Sequence, residues 1–307
     1  MPDLIRVGSA GWSYPDWEGI VYPPRRSRDF DPLKYLSEFV DCIEINASFY
    51  RIPDPSSCAS WAERTADNPD FLFTAKLWRG FTHEAPETPQ DARSSEKAFR
   101  AAMKSLQQEG RLAAVLVQFP YAFHNTAESR AALTELLDRF ADFPLVVEVR
   151  HGSWLRDEFL AWLRERGVAF CNIDQPAVSM NIPPTAHVTA PIAYARLHGR
   201  NARMWFAEGT DRDRRYDYLY PVEDLAGWVG RLNAMAGEAR DVFIIANNHY
   251  RGQGLANAIE LKSMLAGRPV LAPPGILEAY PRLKGRAVAA ATKTRGRKEP
   301  AQGVLPL

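Results

Sequence analysis

The strongest constraint on this chain is a unit that recurs along it. A short apolar, β-branched run turns polar in its last residues and then meets a helical pattern. Leu145-Val-Val-Glu-Val-Arg-His151 shows it most clearly, with Pro144 before it, Gly152-Ser153 after it and a helical pattern from Trp154. Such a run reads as a strand buried on both faces. Glu148 and Arg150 stand two apart, so strand periodicity aims both at the same face. Buried carboxylate and guanidinium groups are costly unless they are paired or used.

Taken in order, strands are expected at 5–9, 42–46, 71–76, 113–118, 145–151, 168–174, 193–198 and 242–248. Between them, Asp31 caps a short helix whose first residue is Pro32. Another helix follows Pro55-Ser56. A long one runs from about Asp91 to Glu109, with Phe99, Met103 and Leu106 on one stripe. Further helices are expected from a cap at Asn125 to Phe140, from Ser153 to Arg166, from Val222 to about Met235, and from the Gly-rich turn at 249–254 to Leu265. Strand 6 is followed by about 17 Pro-rich residues with no helical pattern, an unusual length for a loop. Eight buried strands, nearly all followed by helices, in about 265 residues match a TIM-like (β/α)8 barrel in the α/β class. A doubly wound sheet uses the same units, but Gly8-Ser-Ala-Gly11 does not match the GxGxxG turn of a dinucleotide fold. Residues 1–283 are read as one barrel domain and 284–307 as a flexible basic tail.

Composition narrows the function classes. At 46% hydrophobic and 24% charged, the 307-residue chain has a globular composition. Met1-Pro2-Asp3-Leu4 runs straight into a strand pattern, so no secretory leader is expected. No apolar run is long enough to span a membrane. Cys42, Cys58 and Cys171 form no CxxC pair, which argues against a zinc site or disulfide scaffold and fits a reducing cytoplasm. From Lys284 onward there are six basic residues and one acid, leaving 32 basic and 36 acidic residues in 1–283, a net −4. The barrel itself is therefore not a general nucleic-acid binder by charge.

The strand ends carry the chemistry, because a barrel of this kind places its site there. They read Glu44 and Asn46, Lys76, Gln118, Glu148 and Arg150, Asp174, Arg196 and His198, then Asn247 and Asn248. Pairs such as Glu44–Arg150 or Glu148–Arg196 also admit a purely structural reading. Surplus cations at the mouth favour an anionic ligand. His249-Tyr-Arg251-Gly252-Gln-Gly254 opens a helix after strand 8, where backbone N–H groups suit a phosphate. Trp12, Tyr14, Trp17, Phe49, Tyr50, Trp78, Tyr121, Trp205 and Tyr250 gather in the same loops, either as stacking faces or as an apolar cap.

Three functions follow as expectations. The first is an enzyme, a hydrolase or isomerase, acting on a phosphorylated or otherwise anionic substrate. In it, Lys76, Arg150 and Arg196 hold the anion and Glu44 or Glu148 is the general acid or base. Gln118, Asn46 and Asn248 orient the ligand, His198 moves a proton, and Tyr14, Tyr50, His249, Arg251, Gly252 and Gly254 complete the binding site. The second is a divalent-metal isomerase or endonuclease-like barrel with Glu44, Glu148, Asp174 and His198 as ligands. The third is a non-catalytic protein that binds a nucleic-acid fragment through its aromatic loops and tail. The sequence names no cofactor and no protein partner.

Several of these motifs together resemble the YecE-like family, domain-of-unknown-function family 72. They are Gly8-Ser-Ala-Gly-Trp-Ser-Tyr14 with Trp17, Glu44-Ile-Asn-Ala-Ser-Phe-Tyr50, Phe73-Thr-Ala-Lys76, Val117-Gln-Phe-Pro120, Glu148-Val-Arg-His151 with Ser153-Trp154, Arg196-Leu-His-Gly199 and Asn247-Asn-His249. The resemblance covers about residues 5–265 and implies a TIM-like barrel. It implies no activity, and the tail from about Leu283 lies outside it.

Overall fold

A computed structural model of the chain describes residues 5–84, 86–205 and 215–290. Eight parallel strands close into a barrel in sequence order: β1 (Ile5–Ala10), β2 (Cys42–Ile45), β3 (Leu72–Lys76), β4 (Leu112–Gln118), β5 (Leu145–Glu148), β6 (Ala169–Asp174), β7 (Ile192–Leu197) and β8 (Asp241–Ala246). β8 pairs back on β1 from Ile5↔Val242 to Ser9↔Ala246, so the barrel itself has no open edge. The barrel expected from the repeat is the barrel observed. No helix among the described residues is long and apolar enough to cross a membrane.

Helices form where caps and stripes predict them. α1 (Pro32–Leu36) is capped by Asp31, whose carboxylate accepts from the N–H groups of Leu33 and Lys34. α2 (Ala47–Tyr50) and α3 (Pro55–Arg64) follow β2, and Arg64 returns to Asp31 with two 2.6 Å hydrogen bonds. α4 (Pro89–Gln108) buries Phe99, Ala102, Met103 and Leu106. Each large side chain buried this way contributes about 1.5–3 kcal/mol. α5 (Ala127–Arg139) is capped by Thr126 rather than Asn125. Asn125 instead ties its own loop to Ser153. After β5 the chain makes a 3₁₀ turn at Gly152–Trp154 before α6 (Asp157–Glu165), so that helix starts later than its pattern suggested. α7 (Ala202–Trp205), α8 (Val222–Ala236) and α9 (Gln253–Ala266) complete the ring.

The helix-free loop after β6 is real, and Asn172 explains it. The side chain of Asn172 donates to the carbonyls of His187 (2.9 Å) and Tyr194 (3.2 Å). Its oxygen accepts from the His187 N–H and the Thr185 hydroxyl, both at 2.7 Å. Thr189 adds a bond from its hydroxyl to Val168 and accepts from the Phe170 N–H. Residues 175–191 thus lie against the barrel as an extended strap held by side-chain hydrogen bonds.

One boundary requires correction. β9 (Val270–Ala272) and α10 (Pro274–Ala279) are followed by β10 (Ala287–Ala289), which pairs in parallel with β9. Buried Glu260 on α9 binds Arg282 and Arg286, anchoring this return. The folded part therefore extends past 283 to at least 290, and the rest of the expected tail, 291–307, lies outside the described residues.

Asn172→Ala removes both a double donor and a double acceptor from a buried place. It is expected to destabilise the protein by about 2–4 kcal/mol in urea denaturation and to make 175–191 the first site of limited proteolysis. An unchanged midpoint would show that the strap is held by something else.

Candidate active site

The site begins with the register of the strands. Ala10 lies opposite Glu44, Gln118 opposite Glu148, and Ile173 and Ile245 flank Arg196. Alternation then sends Glu44, Thr74, Lys76, Glu148, Tyr194 and Arg196 into the barrel. Their contacts span it. Arg196 donates to Glu148 Oε2 at 2.6 Å and to Glu44 Oε1 at 2.7 Å, with all three side chains essentially inaccessible to solvent. The Tyr194 hydroxyl donates to Glu44 Oε2 at 3.1 Å, so the Thr74 hydroxyl donates to Tyr194 at 2.8 Å. Arg150 closes on Glu148 Oε1 from above (3.1 Å from Nε), and His198 Nε2 stands 3.2 Å from the same oxygen.

This network fixes protonation states. Burial by itself raises the pKa of Glu148, but Arg196, His198 and Arg150 outweigh it and hold the carboxyl well below the usual range. Burial pushes His198 down to about 3, with Arg150 and Arg196 adding to the effect and Glu148 opposing it. The imidazole is therefore neutral: Nε2–H faces Glu148, and Nδ1 accepts from the Asn247 amide at 3.0 Å. Lys76 is different. No carboxylate lies within 4 Å of its Nζ among the described residues, and the ammonium instead stands 4.0 Å over the Phe49 ring. Burial and the nearby Arg196, with Arg150 adding and Glu44 and Glu148 opposing, lower its pKa from 10.5 to about 7.

Above this layer lies a cavity of about 360 Å³, within the range of small-molecule sites. It is lined by Gly11, Trp12, Ser13, Tyr14, Asn46, Ala47, Tyr50, Lys76, Arg150, Arg196, Tyr216, Asn247 and His249. His249 stacks on Tyr14 (4.3 Å between ring centroids, 11° between planes) and meets Tyr216 on its other side at 5.0 Å. Trp17 belongs to the scaffold: it is fully buried, and its indole N–H holds the His249 carbonyl at 2.8 Å.

The structure gathers Tyr14, Asn46, Tyr50, Lys76, Arg150, Arg196 and His249 at the cavity, with Glu44 and Glu148 as the ionic partners of its Arg150 and Arg196 and His198 beside Glu148. Other expectations are corrected. Asp174 faces outward, where Arg200 binds both its oxygens at 2.7 Å and the Trp228 indole donates to it at 2.7 Å. It supports α8 and does not line the cavity. With Asp174 outside and Arg196 between Glu44 and Glu148, the four expected metal ligands do not converge. Asn248 also points away, to the Tyr218 carbonyl and Asn257, while its neighbour Asn247 takes the cavity. Gln118 bonds Phe119 and the His83 ring beside the cavity rather than in its wall. The turn expected to cradle phosphate is filled by the protein itself. The Arg251 N–H is taken by Asp16 and Gly252 donates to His249. Gly252 has φ +77°, and a Cβ there would meet Val21 at 2.8 Å. Gly254 sits tight against the Asn248 carbonyl, so both glycines serve packing.

Sequence reasoning also passed over Tyr216 and His83. The second is pushed down to about 4 by burial, with Lys76, Arg150 and Arg79 adding. Both lie on loops whose aromatic content is legible but whose path into the mouth is not.

The family described as "Protein of unknown function DUF72" matches over residues 6–277. The UPF0759 protein YunF of Bacillus subtilis is 28% identical over 273 residues, covering 85% of this chain and 95% of its own. The UPF0759 protein YecE of Escherichia coli K12 is 30% identical over 149 residues, covering 48% of this chain and 49% of its own. A DUF72 crystal structure from Thermotoga maritima superposes with a TM-score of 0.74 at 32% identity, over 85% of this chain and 99% of that one. One from Enterococcus faecalis gives 0.73 at 27% identity, over 85% and 95%.

Two stability measurements test the electrostatics. Arg196→Met leaves two buried carboxylates facing each other and is expected to cost about 3–5 kcal/mol. Lys76→Met is expected to stabilise. Below about pH 7 Lys76 is charged in both states and its burial penalty is complete. Between about 7 and 10.4 the unfolded chain binds a proton the folded chain has shed, so wild-type stability rises with pH. The gain from Lys76→Met should be on the order of 3 kcal/mol near pH 6 and shrink toward alkaline pH. Urea titrations at two pH values check this, and a gain independent of pH would contradict the lowered pKa.

Proposed function

The chain belongs to the DUF72 family of proteins of unknown function, and from that premise we propose that it is an enzyme acting on a small anionic molecule held by Lys76, Arg150 and Arg196 at the barrel mouth. One observation carries this reading: among the described residues, every formally charged side chain lining the cavity is a cation. The two carboxylates of the interior are engaged by Arg196, Arg150 and Tyr194, which leaves Lys76 as positive charge in excess of those pairs. Buried Arg196 Nε has no hydrogen-bond acceptor among the described residues, so a donor remains to be satisfied. A ligand anion there would meet planar guanidinium groups suited to carboxylate or phosphate. The aromatic rim of Trp12, Tyr14, Tyr50 and Tyr216 supplies apolar faces around it.

The acid–base assignment moves with the geometry. Glu44 or Glu148 is the general acid or base expected from the sequence, with His198 moving a proton, but Glu148 is held ionised by its cations and His198 is held neutral. Lys76, with a pKa near 7, is the group suited to exchange a proton at neutral pH.

A thermal-shift screen with inorganic phosphate, sugar phosphates and small carboxylates tests the proposal. A ligand at 100 times its Kd stabilises by about 2.7 kcal/mol, which is a rise of several degrees in Tm. The shift should vanish in Arg150→Ala and persist in Arg251→Ala, whose side chain is not part of the cavity wall. Persistence in Arg150→Ala, or loss in Arg251→Ala, would move the anion to the other site. A short oligonucleotide in the same screen at low and high salt serves as the comparison for the nucleic-acid reading.

A further inference from the structure

We propose that Lys76 is a nucleophilic amine that forms a Schiff base with the carbonyl group of an anionic aldehyde or ketone bound in the barrel mouth. This rests on the anion-site reading and adds a substrate class to it.

Placement carries the argument. Lys76 is the last residue of β3, and its backbone is fixed because the Ser48 hydroxyl is 2.7 Å from both the Lys76 and the Ile45 carbonyls. A rigid strand end holds a reacting atom better than a loop does. The side chain is only 8% exposed, yet it lines the open cavity. Lysines that serve as structural cations in this protein have carboxylates: Lys34 has Asp67 at 2.7 Å and Lys262 has Asp41 at 2.6 Å. Lys76 has an aromatic face instead, and the nearby Glu44 and Glu148 are engaged by Arg196. An amine desolvated beside other cations, with no carboxylate to hold its proton, is the environment that activates lysine as a nucleophile.

The groups around the amine agree. Arg196 and Arg150 disfavour its charge, Glu44 and Glu148 favour it less than burial opposes it, and His83 on the following loop is neutral, so the amine titrates near 7. In the reaction the neutral Nζ lone pair forms a bond to the carbonyl carbon while the C=O π pair moves to oxygen. Proton transfer from nitrogen to oxygen gives a carbinolamine. Its C–O bond then breaks and water leaves, so that amine plus carbonyl becomes imine plus one water with no oxidant or reductant. Arg150 and Arg196 hold the anionic group, and the amides of Asn46 and Asn247 line the wall where the carbonyl oxygen would sit. A protonated imine withdraws electrons, so the chemistry implied is proton exchange or bond cleavage at the carbon next to the carbonyl.

Two reagents test the amine and the anion separately. The first is 2,4-pentanedione, a neutral diketone that converts a reactive lysine to an enaminone and needs no anion site. The second is pyruvate with cyanoborohydride, which reduces any imine to a stable secondary amine. Intact mass and peptide mapping near neutral pH are expected to show a single adduct at Lys76 with both reagents. Inorganic phosphate should suppress the pyruvate adduct at least tenfold, and Lys76→Arg and Lys76→Met should show none while remaining folded. Pyruvate or phosphate raising Tm with no adduct at Lys76 would overturn the Schiff base and leave the anion site standing. A pentanedione adduct at Lys76 without any response to pyruvate or phosphate would overturn the anionic substrate class instead. Labelling spread over the surface lysines, unchanged in Lys76→Met, would overturn the inference altogether.

Discussion

The guanidinium of Arg196, placed between Glu44 and Glu148, is the interaction on which the upper half of the barrel depends. Removing three charges from water is expensive, and short ion pairs with further hydrogen bonds to the carboxylates offset that cost. Here the bonds are 2.6 and 2.7 Å, Tyr194, Arg150 and His198 occupy further positions around the two carboxylates, and Thr74 holds the Tyr194 hydroxyl. The arrangement joins β2, β3, β5 and β7 across the interior. It also decides what is left over. With both carboxylates committed, Lys76 is a buried amine with no acidic partner within 4 Å among the described residues, and its low pKa follows first from burial and then from the nearby Arg196.

The barrel is therefore layered. A network of fixed charges lies inside, and a cavity lined by cations, amides and aromatic rings opens above it. The loops after β1 and β8 are locked together to form one wall: Trp17 holds the His249 carbonyl, Tyr14 stacks on the His249 ring, and Asp16 takes the Arg251 N–H. On another side the extended strap 175–191 replaces a helix, and Asn172 docks it. The return through β9 and β10 is tied to α9 by Glu260 with Arg282 and Arg286, which is why folded structure continues beyond the last barrel helix.

Much of this was legible in the sequence. Apolar runs ending in polar residues located all eight strands. Asp31 with Pro32, and the stripe of Phe99, Met103 and Leu106, located helices, because caps and helical period are local properties. The absence of a pattern after β6 correctly indicated an irregular segment. At the ends of β2, β5 and β7 the spacing of two between polar residues also identified side chains that share a face; Glu44, Glu148, Arg150, Arg196 and His198 meet in the central network, and Asn46 lines the cavity above it.

The sequence alone thus determined the elements, their order and the set of polar strand ends from which a site had to be drawn. Tertiary structure decided which members of that set face inward. Both faces of a barrel strand are buried, so apolar alternation carries no sign of inside or outside. Asp174 looks like Arg196 in the sequence and ends up on the opposite face, bound to Arg200 and Trp228. Asn247 and Asn248 are the same residue one step apart, and only strand register sends the first to the cavity. Gly252 and Gly254 suggested a phosphate turn, but the close approach of Val21 and of the Asn248 carbonyl gives them a packing role. The low pKa of Lys76 could not be read locally at all, because it arises from burial and from Arg196 and Arg150, which come near the amine only when the barrel closes.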